Sequence, residues 1–272
     1  MNGTALITGA SSGIGFEMTR MLAGDGWNVI MVGRNTEALE QLRVHIGEKH
    51  SDVSAFVIES DLSKDGAAEK LYADVKEIGI PVDFLINCAG FGDFGFLSER
   101  DIKKQQDMIH VNDLALTTLT MLFLPEMISR GSGRILNVSS IAAFQPGPLM
   151  SVYYASKAYV QSISEALAVE LKGTGVHVSV LCPGPTDTKF MDVAESGKQN
   201  MFKKSVCATA EQVARYGLKK AFKNKVVIVC GISSKLLIFA ERLLPRRVVR
   251  WAVYRIQSKP APGEKRAKRP SK

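Results

Sequence analysis

The fold is decided by residues 8–15, which read Thr8-Gly9-Ala10-Ser11-Ser12-Gly13-Ile14-Gly15. A short apolar run comes directly before them, and a helical pattern begins at Phe16. Glycines permit a tight turn and let the backbone approach a pyrophosphate closely. The first turn of the following helix presents free N–H groups and the positive end of its dipole. This stretch therefore predicts a phosphate-binding loop at the first strand–helix junction of an α/β sheet.

Apolar runs alternate with longer amphipathic patterns along most of the chain. We interpret as strands the runs Ala5–Thr8, Asn28–Val32, Ser54–Glu59, Asp83–Ile86, Arg134–Val138, His177–Leu181 and Val226–Val229. Helical patterns cover Glu37–Glu48, Lys64–Ile78, Glu99–Arg130, Ser151–Lys172 and Ala210–Phe222. Strands separated by helices need crossover connections, so the sequence predicts an α/β fold with a doubly wound parallel sheet, the Rossmann fold. Because Pro125 lies near its end, the long segment 98–130 is expected to hold more than one helix.

Positive charge is concentrated towards the C-terminus. The chain of 272 residues has a formal net charge of +8, but residues 235–272 alone carry twelve Lys or Arg against Glu241 and Glu264, so the preceding residues sum to −2. We predict a catalytic domain over residues 1–231, an amphipathic helical extension over 232–258 and a disordered basic tail over 259–272. A near-neutral body without base-reading motifs argues against nucleic-acid binding.

Composition and cysteine usage exclude several classes of protein. The chain is 46% hydrophobic and 23% charged, which is ordinary for a folded protein. No uninterrupted apolar run approaches the ~18–20 residues of a membrane span, and the first residues do not resemble a charged leader. The four cysteines show neither CxxC pairing nor zinc-ligand spacing; they are Cys88, Cys182, Cys207 and Cys230. These features favour a cytoplasmic protein with reduced thiols and no metal site.

Further motifs follow the glycine loop in a defined order. They are Asp61-Leu62, Asn87-Cys88-Ala89-Gly90, Asn112, Ser140, Tyr153-x-x-x-Lys157 and Pro183-Gly184-x-x-x-Thr188. With its TGxxxGxG loop and these motifs, the chain resembles the short-chain dehydrogenase/reductase family over residues 3–231. It is similar to the single-domain branch and its bacterial-type 3-oxoacyl reductase-like members. The resemblance implies an oxidoreductase that uses a nicotinamide cofactor.

The residues after the second strand indicate which nicotinamide cofactor is used. An enzyme that prefers NAD would place an acid there to bond the ribose hydroxyls. This chain has Gly33 in that place and Arg34 next, followed by Asn35. Because a guanidinium offers paired donors that match a phosphate, we predict NADP(H). The alternative is that Arg34 is a solvated surface residue.

The resemblance implies a wider set of cofactor-binding residues. Asp61 would accept from the adenine amino group, Thr188 would bond the nicotinamide carboxamide, and Cys88 departs from the family's usual Asn. The implied set is Gly9, Ser11, Ser12, Gly13, Ile14, Gly15, Arg34, Asn35, Asp61, Leu62, Asn87, Ala89, Gly90, Tyr153, Lys157, Pro183, Gly184, Thr186 and Thr188.

The candidate catalytic pair is Tyr153 and Lys157. Their four-residue spacing places both side chains on one helix face. A phenol with a pKa near 10 is a poor base at neutral pH, and a nearby ammonium would lower that pKa. Tyr154 and Tyr159 have no lysine four residues later. We therefore predict that Tyr153 is the general acid/base.

Two further residues complete the predicted catalytic set of Asn112, Ser140, Tyr153 and Lys157. Ser140 follows a strand, thirteen residues before Tyr153. Ligands bind at the carboxyl ends of parallel strands, so its hydroxyl can donate to a substrate carbonyl. The resemblance implies that Asn112 lies at a helix kink and holds a water against Lys157.

The predicted reaction is reversible hydride transfer between NADP(H) and a carbonyl or secondary alcohol, with carbonyl reduction as the cellular direction. Apolar residues near the expected site favour an apolar substrate of the 3-oxoacyl, steroid or retinoid kind. The substrate-binding candidates are Ser140, Phe91, Phe144, Tyr153 and Phe190. The alternative is a catalytically silent module that senses NADP(H), but such a module needs no Tyr–Lys pair.

The C-terminal extension allows three interpretations. Arg242, Arg246 and Arg250 recur every fourth residue, and an apolar stripe comprises Leu244, Val248, Trp251, Ala252 and Ile256. The extension could pack on the body with a solvated basic face, lie on an anionic membrane surface, or cover the site of a second subunit. The polar stretch 189–204 is expected to be a loop over the site. By resemblance, we expect a homodimer or homotetramer built on the helices that hold Asn112 and Tyr153.

Overall fold

A seven-stranded parallel sheet forms the centre of the protein. The computed structural model describes residues 2–187 and 208–258. Its strands are β1 Thr4–Thr8, β2 Asn28–Gly33, β3 Ala55–Glu59, β4 Phe84–Asn87, β5 Gly133–Val138, β6 Val176–Cys182, β7 Thr186–Asp187, β8 Ala208–Thr209 and β9 Val227–Val229. The central order is β3-β2-β1-β4-β5-β6-β9, and β7 pairs separately with β8. The predicted doubly wound parallel sheet is therefore confirmed.

Helices cover both faces of the sheet. They are α1 Gly13–Gly24, α2 Thr36–Lys49, α3 Ala67–Glu77, α4 Ile102–Ile109, α5 Leu116–Ser129, α6 Ser151–Glu170, α7 Ala210–Ala221, α8 Ile232–Leu243 and α9 Arg246–Gln257. A π-helical turn, His110–Ala115, joins α4 to α5, and a 3₁₀ turn, Ile141–Phe144, follows β5. The prediction that segment 98–130 holds more than one helix is confirmed, but Pro125 lies inside α5 and does not end a helix. The irregularity of this segment lies instead at the π turn.

Alternation along the strands divides the core into two main layers. Successive side chains of a strand point to opposite faces, so Ala5 and Ile7 pack towards α1, α2 and α7, whereas Leu6 packs towards α3 and α5. Each fully buried side chain of leucine or isoleucine size contributes about 1.5–3 kcal/mol to folding. A smaller cluster joins Val160 of α6 to Val180 of β6. This packing holds α6 across the carboxyl ends of β5 and β6.

One helical segment has the character of a membrane span. Ile102–Ser129 is 28 residues long, and its most apolar window of 18 residues has a mean hydropathy of 1.2. Charged residues interrupt this segment, so the prediction that the chain has no uninterrupted apolar run of that length is not contradicted. Its Leu119, Phe123 and Met127 are buried against the sheet, as in a core helix of an α/β domain. A core helix packed on a sheet needs apolar residues, which accounts for its hydropathy.

Several predictions fall on residues that the structure does not describe. They concern Thr188, Phe190, Cys207, the expected loop 189–204 and the expected tail 259–272.

Candidate active site

The loop between β1 and α1 is packed so closely at Gly9 and Gly15 that neither position has room for a Cβ. Gly9 has a φ of +71°, and a Cβ there would lie 2.9 Å from the Ala89 Cα. A Cβ on Gly15 would collide with the Gly9 carbonyl oxygen. Ser12 precedes α1 in an extended conformation and makes no side-chain cap. The loop therefore presents backbone to a ligand at a helix N-terminus, which fits the pyrophosphate of a dinucleotide.

Thr8 ties the ends of β1 and β4 together. Its Oγ1 accepts hydrogen bonds from the Cys88 and Ala89 N–H groups, both at 3.1 Å. The Gly15 N–H bonds to the Cys88 thiol, and burial raises the pKa of that thiol to about 11. Cys88 therefore remains a neutral thiol at physiological pH and connects the two sides of the loop.

Asn87 ends β4 with a buried side chain. Its Nδ2 donates to Asn137 Oδ1 of β5 at 2.9 Å and to Thr120 Oγ1 of α5 at 3.3 Å. These bonds fix the amide nitrogen against the core, and the role of Asn87 in lining a cofactor stays a prediction.

Arg34 lies at the end of β2, exposed and near the Asp61 carboxylate. Burial opposes ionisation of Asp61, but hydrogen bonds from Ser63 and the Arg34 charge hold the pKa of Asp61 below its usual value. A Cβ on Gly33 would lie 3.3 Å from the Ser11 Oγ. Asn35 caps α2 by accepting from the Ala38 N–H at 3.0 Å. The Arg34 guanidinium thus lies at the end of β2, where the adenosine ribose of a dinucleotide would bind.

Helix α6 brings Tyr153 and Lys157 to one face, beside the end of β5. The Lys157 Nζ is 5.8 Å from the centre of the Tyr153 ring and donates to the Val138 carbonyl at 3.0 Å. The Tyr153 hydroxyl makes a side-chain hydrogen bond with Ser140. Ser140 also accepts from the Ala142 N–H at 3.1 Å, which caps the 3₁₀ turn. Three predicted catalytic side chains therefore converge.

Proton affinities in this cluster are controlled mainly by burial. Burial raises the pKa of Tyr153, against the lowering effect of its bond with Ser140. Burial also lowers the pKa of Lys157. The Lys157 ammonium donates to the Val138 carbonyl and lies 5.8 Å from the Tyr153 ring centre, and its predicted lowering of the tyrosine pKa stays a prediction. In this arrangement Tyr153 carries its proton at neutral pH.

Asn112 lies within the π turn and is fully partnered by neighbouring groups. Its Oδ1 accepts from the Phe91 N–H at 3.1 Å, and its Nδ2 donates to the Phe91 carbonyl and the Ser156 Oγ, both at 3.0 Å. A Cβ on Gly90 would lie 2.9 Å from Asn112 Oδ1 and 3.2 Å from Lys157 Nζ. The side chains of Asn112 and Lys157 therefore both contact the space beside Gly90, Asn112 from the π turn and Lys157 from α6.

The remaining predicted residues have varied surroundings. Pro183 accepts from the Ile141 N–H at 3.0 Å, and Thr186 donates to the Gly184 carbonyl at 2.9 Å. Phe144 packs on the cluster of Val160 and Val180. Leu62 is buried in the core, while Thr188 and Phe190 lie outside the described residues.

In the sequence, Tyr154 is only an alternative to Tyr153, and its contact with helix α9 is not predicted there. Its hydroxyl accepts from Gln257 Nε2 of α9 at 2.5 Å, and its ring packs edge-on against Tyr153 at 6.0 Å. Burial raises the pKa of Tyr154 to about 12, with the Gln257 bond lowering it and the Glu241 charge raising it. The spacing of Val249, Val253 and Gln257 on one helix face was the available signal.

Asp113, next to Asn112, is a second residue that the sequence did not single out. Burial raises the pKa of its carboxyl to about 6, and the charge of Lys157 lowers it. Its proximity to Lys157 depends on the π turn, which has no clear signature in the sequence.

Together, the fold and the site define a nucleotide-binding α/β protein with a Tyr–Lys pair beside a glycine loop. The chain belongs to the short-chain dehydrogenase/reductase family, because the sequence profile described as short chain dehydrogenase matches residues 3–199. This family comprises oxidoreductases that act on alcohol or ketone groups. The ketoacyl reductase HetN of Nostoc sp. is 33% identical over 91% of this chain and 88% of its own length.

Solved structures of the family show the same fold. A short-chain dehydrogenase from Sphingobium yanoikuyae in complex with NADPH is 25% identical, with a TM-score of 0.79 over 89% of this chain and 93% of its own. A short-chain dehydrogenase/reductase from Burkholderia phymatum in complex with NAD is 23% identical, with a TM-score of 0.78 over 87% and 92%. Both cofactors thus occur in proteins of this fold, and the choice depends on local residues.

Proposed function

We propose that the protein is an NADP(H)-dependent carbonyl reductase of apolar substrates. The observation that carries the proposal is the convergence of Ser140, Tyr153 and Lys157 at the sheet edge that also bears the glycine loop. In an open α/β sheet this edge is where ligands bind. The three catalytic side chains and the glycine loop therefore lie in one cleft.

The residues fit an NADP(H) molecule at two points. The backbone around Gly9 and Gly15 suits the pyrophosphate, and Arg34 offers paired donors for a 2′-phosphate. No acidic side chain occupies the end of β2, where a carboxylate would repel that phosphate. The nicotinamide, when bound, supplies or accepts the hydride.

Ser140 and Tyr153 handle the substrate oxygen. During reduction, Ser140 donates a hydrogen bond to the carbonyl oxygen, and Tyr153 gives its proton to that oxygen as negative charge develops. The raised pKa of Tyr153 keeps the proton available at neutral pH. Lys157 supplies positive charge beside the tyrosine, and Asn112 fixes the backbone at Phe91 next to the cleft.

The substrate side favours an apolar carbonyl compound. Tyr154 packs against Tyr153, Phe144 ends the 3₁₀ turn that Ser140 caps, and the ketoacyl reductase relative from Nostoc suggests a 3-oxoacyl chain. Steroid and retinoid ketones or aldehydes share this apolar character. We propose carbonyl reduction as the cellular direction because the NADP(H) pool is usually kept reduced.

NADPH oxidation by the purified protein tests this proposal, with 3-oxoacyl thioesters, steroid ketones, retinal and simple diketones as substrates and NADH in parallel. We expect turnover that prefers NADPH. In Tyr153→Phe it falls more than about a hundredfold, while NADPH affinity stays within about twofold of wild type. Tyr159→Phe, on the same helix, is the matched control. Residual turnover above about one percent in Tyr153→Phe contradicts the assigned role. Tight NADPH binding without turnover on any substrate favours the sensing module instead.

We also propose that the protein forms a homo-oligomer through the helices that carry the site. Exposed apolar side chains on these helices include Leu114, Met121, Ile128, Tyr159 and Val169. Thr117 of α5 and Tyr159 of α6 share a hydrogen bond of 2.9 Å, so the two helices form one surface. Sedimentation velocity of the wild type and of Met121→Glu tests this, with dissociation expected in the variant.

A further inference from the structure

Helix α8 turns an apolar stripe away from the protein. Ile232, Leu236, Phe239 and Leu243 are spaced at i, i+4, i+7 and i+11, which places them on one helix face. Leu236 is 64% exposed, Phe239 62% and Leu243 72%, whereas Ile238 on the opposite face is buried. Single exposed apolar residues are ordinary, but a continuous stripe indicates a contact surface.

Helix α9 repeats this arrangement. Val249 and Val253 are buried, whereas Val248 and Trp251, and Leu244 just before the helix, are exposed, with Trp251 at 59%. The predicted apolar stripe is therefore exposed except at Ala252, which is half-buried. Packing on the body uses a different face of the same helix.

The outward faces of the two helices point in a common direction. Gln257 of α9 bonds to the Tyr154 hydroxyl, and Glu241 of α8 lies close enough for its charge to raise the pKa of that tyrosine. Both helices thus turn their inner faces towards one residue of α6. Their exposed stripes consequently lie on the side away from the body.

Cations surround these stripes. The segment 231–258 carries six of them, against the single carboxylate of Glu241. All six are exposed, and they are Lys235, Arg242, Arg246, Arg247, Arg250 and Arg255. The Arg255 guanidinium lies 5.0 Å from the centre of the Trp251 ring. Apolar residues flanked by long basic side chains are typical of helices that lie in the interface of an anionic membrane.

A second copy of this chain fits the surface poorly. A symmetric contact between two copies would bring the same arginines together without enough carboxylates to neutralise them. We propose instead that α8 and α9 form a docking surface for an anionic phospholipid bilayer. The stripes enter the interfacial region, and the arginines contact the headgroup phosphates. This surface does not depend on the proposed reaction.

Vesicle co-sedimentation of the full chain tests the docking surface. We expect binding to vesicles of equimolar phosphatidylglycerol and phosphatidylcholine at about 0.1 M salt, and more than tenfold weaker binding to phosphatidylcholine alone. Raising the salt to about 0.5 M should also weaken binding, because screening removes the attraction between arginine and phosphate. No binding to the anionic vesicles at the lower salt would overturn the proposal.

Two matched triple variants separate this surface from other exposed apolar residues. Leu236→Gln/Phe239→Gln/Leu243→Gln should lose vesicle binding more than tenfold, while Val44→Gln/Leu97→Gln/Ile102→Gln, at three exposed apolar residues elsewhere on the body, should keep it. Thermal melts check that both remain folded. Unchanged vesicle binding in the α8 variant contradicts the proposal. A second copy would be identified as the occupant if the wild type does not bind vesicles and the α8 variant has a lower mass in sedimentation. That pair of results also contradicts the proposal.

Quenching of tryptophan fluorescence measures whether α9 enters the lipid interface. The chain has two tryptophans, and Trp27→Phe leaves Trp251 as the reporter. Brominated phosphatidylglycerol should quench its fluorescence when α9 enters the interface. Quenching absent under conditions where the protein co-sediments would show that these helices do not make the contact.

Discussion

The cofactor side and the substrate side of the cleft are built in different ways. The cofactor side consists of backbone at the ends of β1 and β4, where Gly9 and Gly15 leave no room for a Cβ. The proposed substrate side consists of side chains, beside which Tyr154 is held by Gln257 from a helix 103 residues later in the chain. Function on the first side thus depends on local sequence, and on the second side on distant elements that meet.

The two sides consequently differ in what they tolerate. A substitution in the glycine loop displaces backbone, which has no alternative position. A substitution at Gln257 of α9 removes a contact of Tyr154, and it touches neither the glycine loop nor Lys157 directly. A single catalytic arrangement can therefore serve many substrates when the C-terminal helices vary.

Gly9→Ala is expected to have the largest effect, because it combines a positive φ with a contact of 2.9 Å to backbone. NADPH affinity should fall more than about a hundredfold, and the free energy of unfolding by roughly 2–4 kcal/mol. Isothermal titration and denaturant unfolding measure the two effects. Gly26→Ala is the control, since Gly26 has a similar φ of +78° but nothing within 4 Å. Equal losses in both variants would mean that φ strain alone is responsible.

Arg34→Ala should have an intermediate effect that is confined to the cofactor side. The KM for NADPH is expected to rise about tenfold or more, with the KM for NADH unchanged, because only NADPH carries the 2′-phosphate. Steady-state kinetics with both cofactors measure this. Arg43→Ala on α2, an exposed arginine paired with Glu40, should change neither value. A parallel rise for both cofactors would remove Arg34 from phosphate recognition.

Gln257→Leu is expected to have the smallest effect, on the substrate side alone. Loss of its bond to Tyr154 should raise the KM for the carbonyl substrate about three- to fivefold, with the KM for NADPH unchanged. The free energy of unfolding should fall by about 1 kcal/mol. Gln41→Leu on the surface of α2 is the control. A change in the KM for NADPH would show that the two sides of the cleft are coupled.

The sheet could be predicted because its signals are local. Each apolar run recurs as a strand whose ends move by at most one residue, and the parallel order follows from the intervening helices. Ser140, Tyr153 and Lys157 converge because the carboxyl ends of parallel strands share one edge. These parts of the fold and site require only short-range patterns.

Other features arise from packing and have no short-range signal. The raised pKa of Tyr153 reflects burial, which depends on elements remote in sequence. The break between α4 and α5 follows a π turn and not Pro125, whose helix continues through it. The inward turn of Asn87 reflects partners on β5 and α5. The orientation of α9 was equally unpredictable, because its amphipathic pattern allows either face to meet the body.

The π turn at His110–Ala115 also makes the length of the chain critical at this point. A π turn contains one residue more per turn than an α-helix, and each residue of an α-helix advances the face by about 100°. Deleting one residue there would convert the turn into regular α-helix and leave Leu119, Phe123 and Met127 on the sheet. It would, however, displace Asn112 from its partners Phe91 and Ser156. The extra residue therefore sets the direction of the Asn112 side chain independently of the packing of α5.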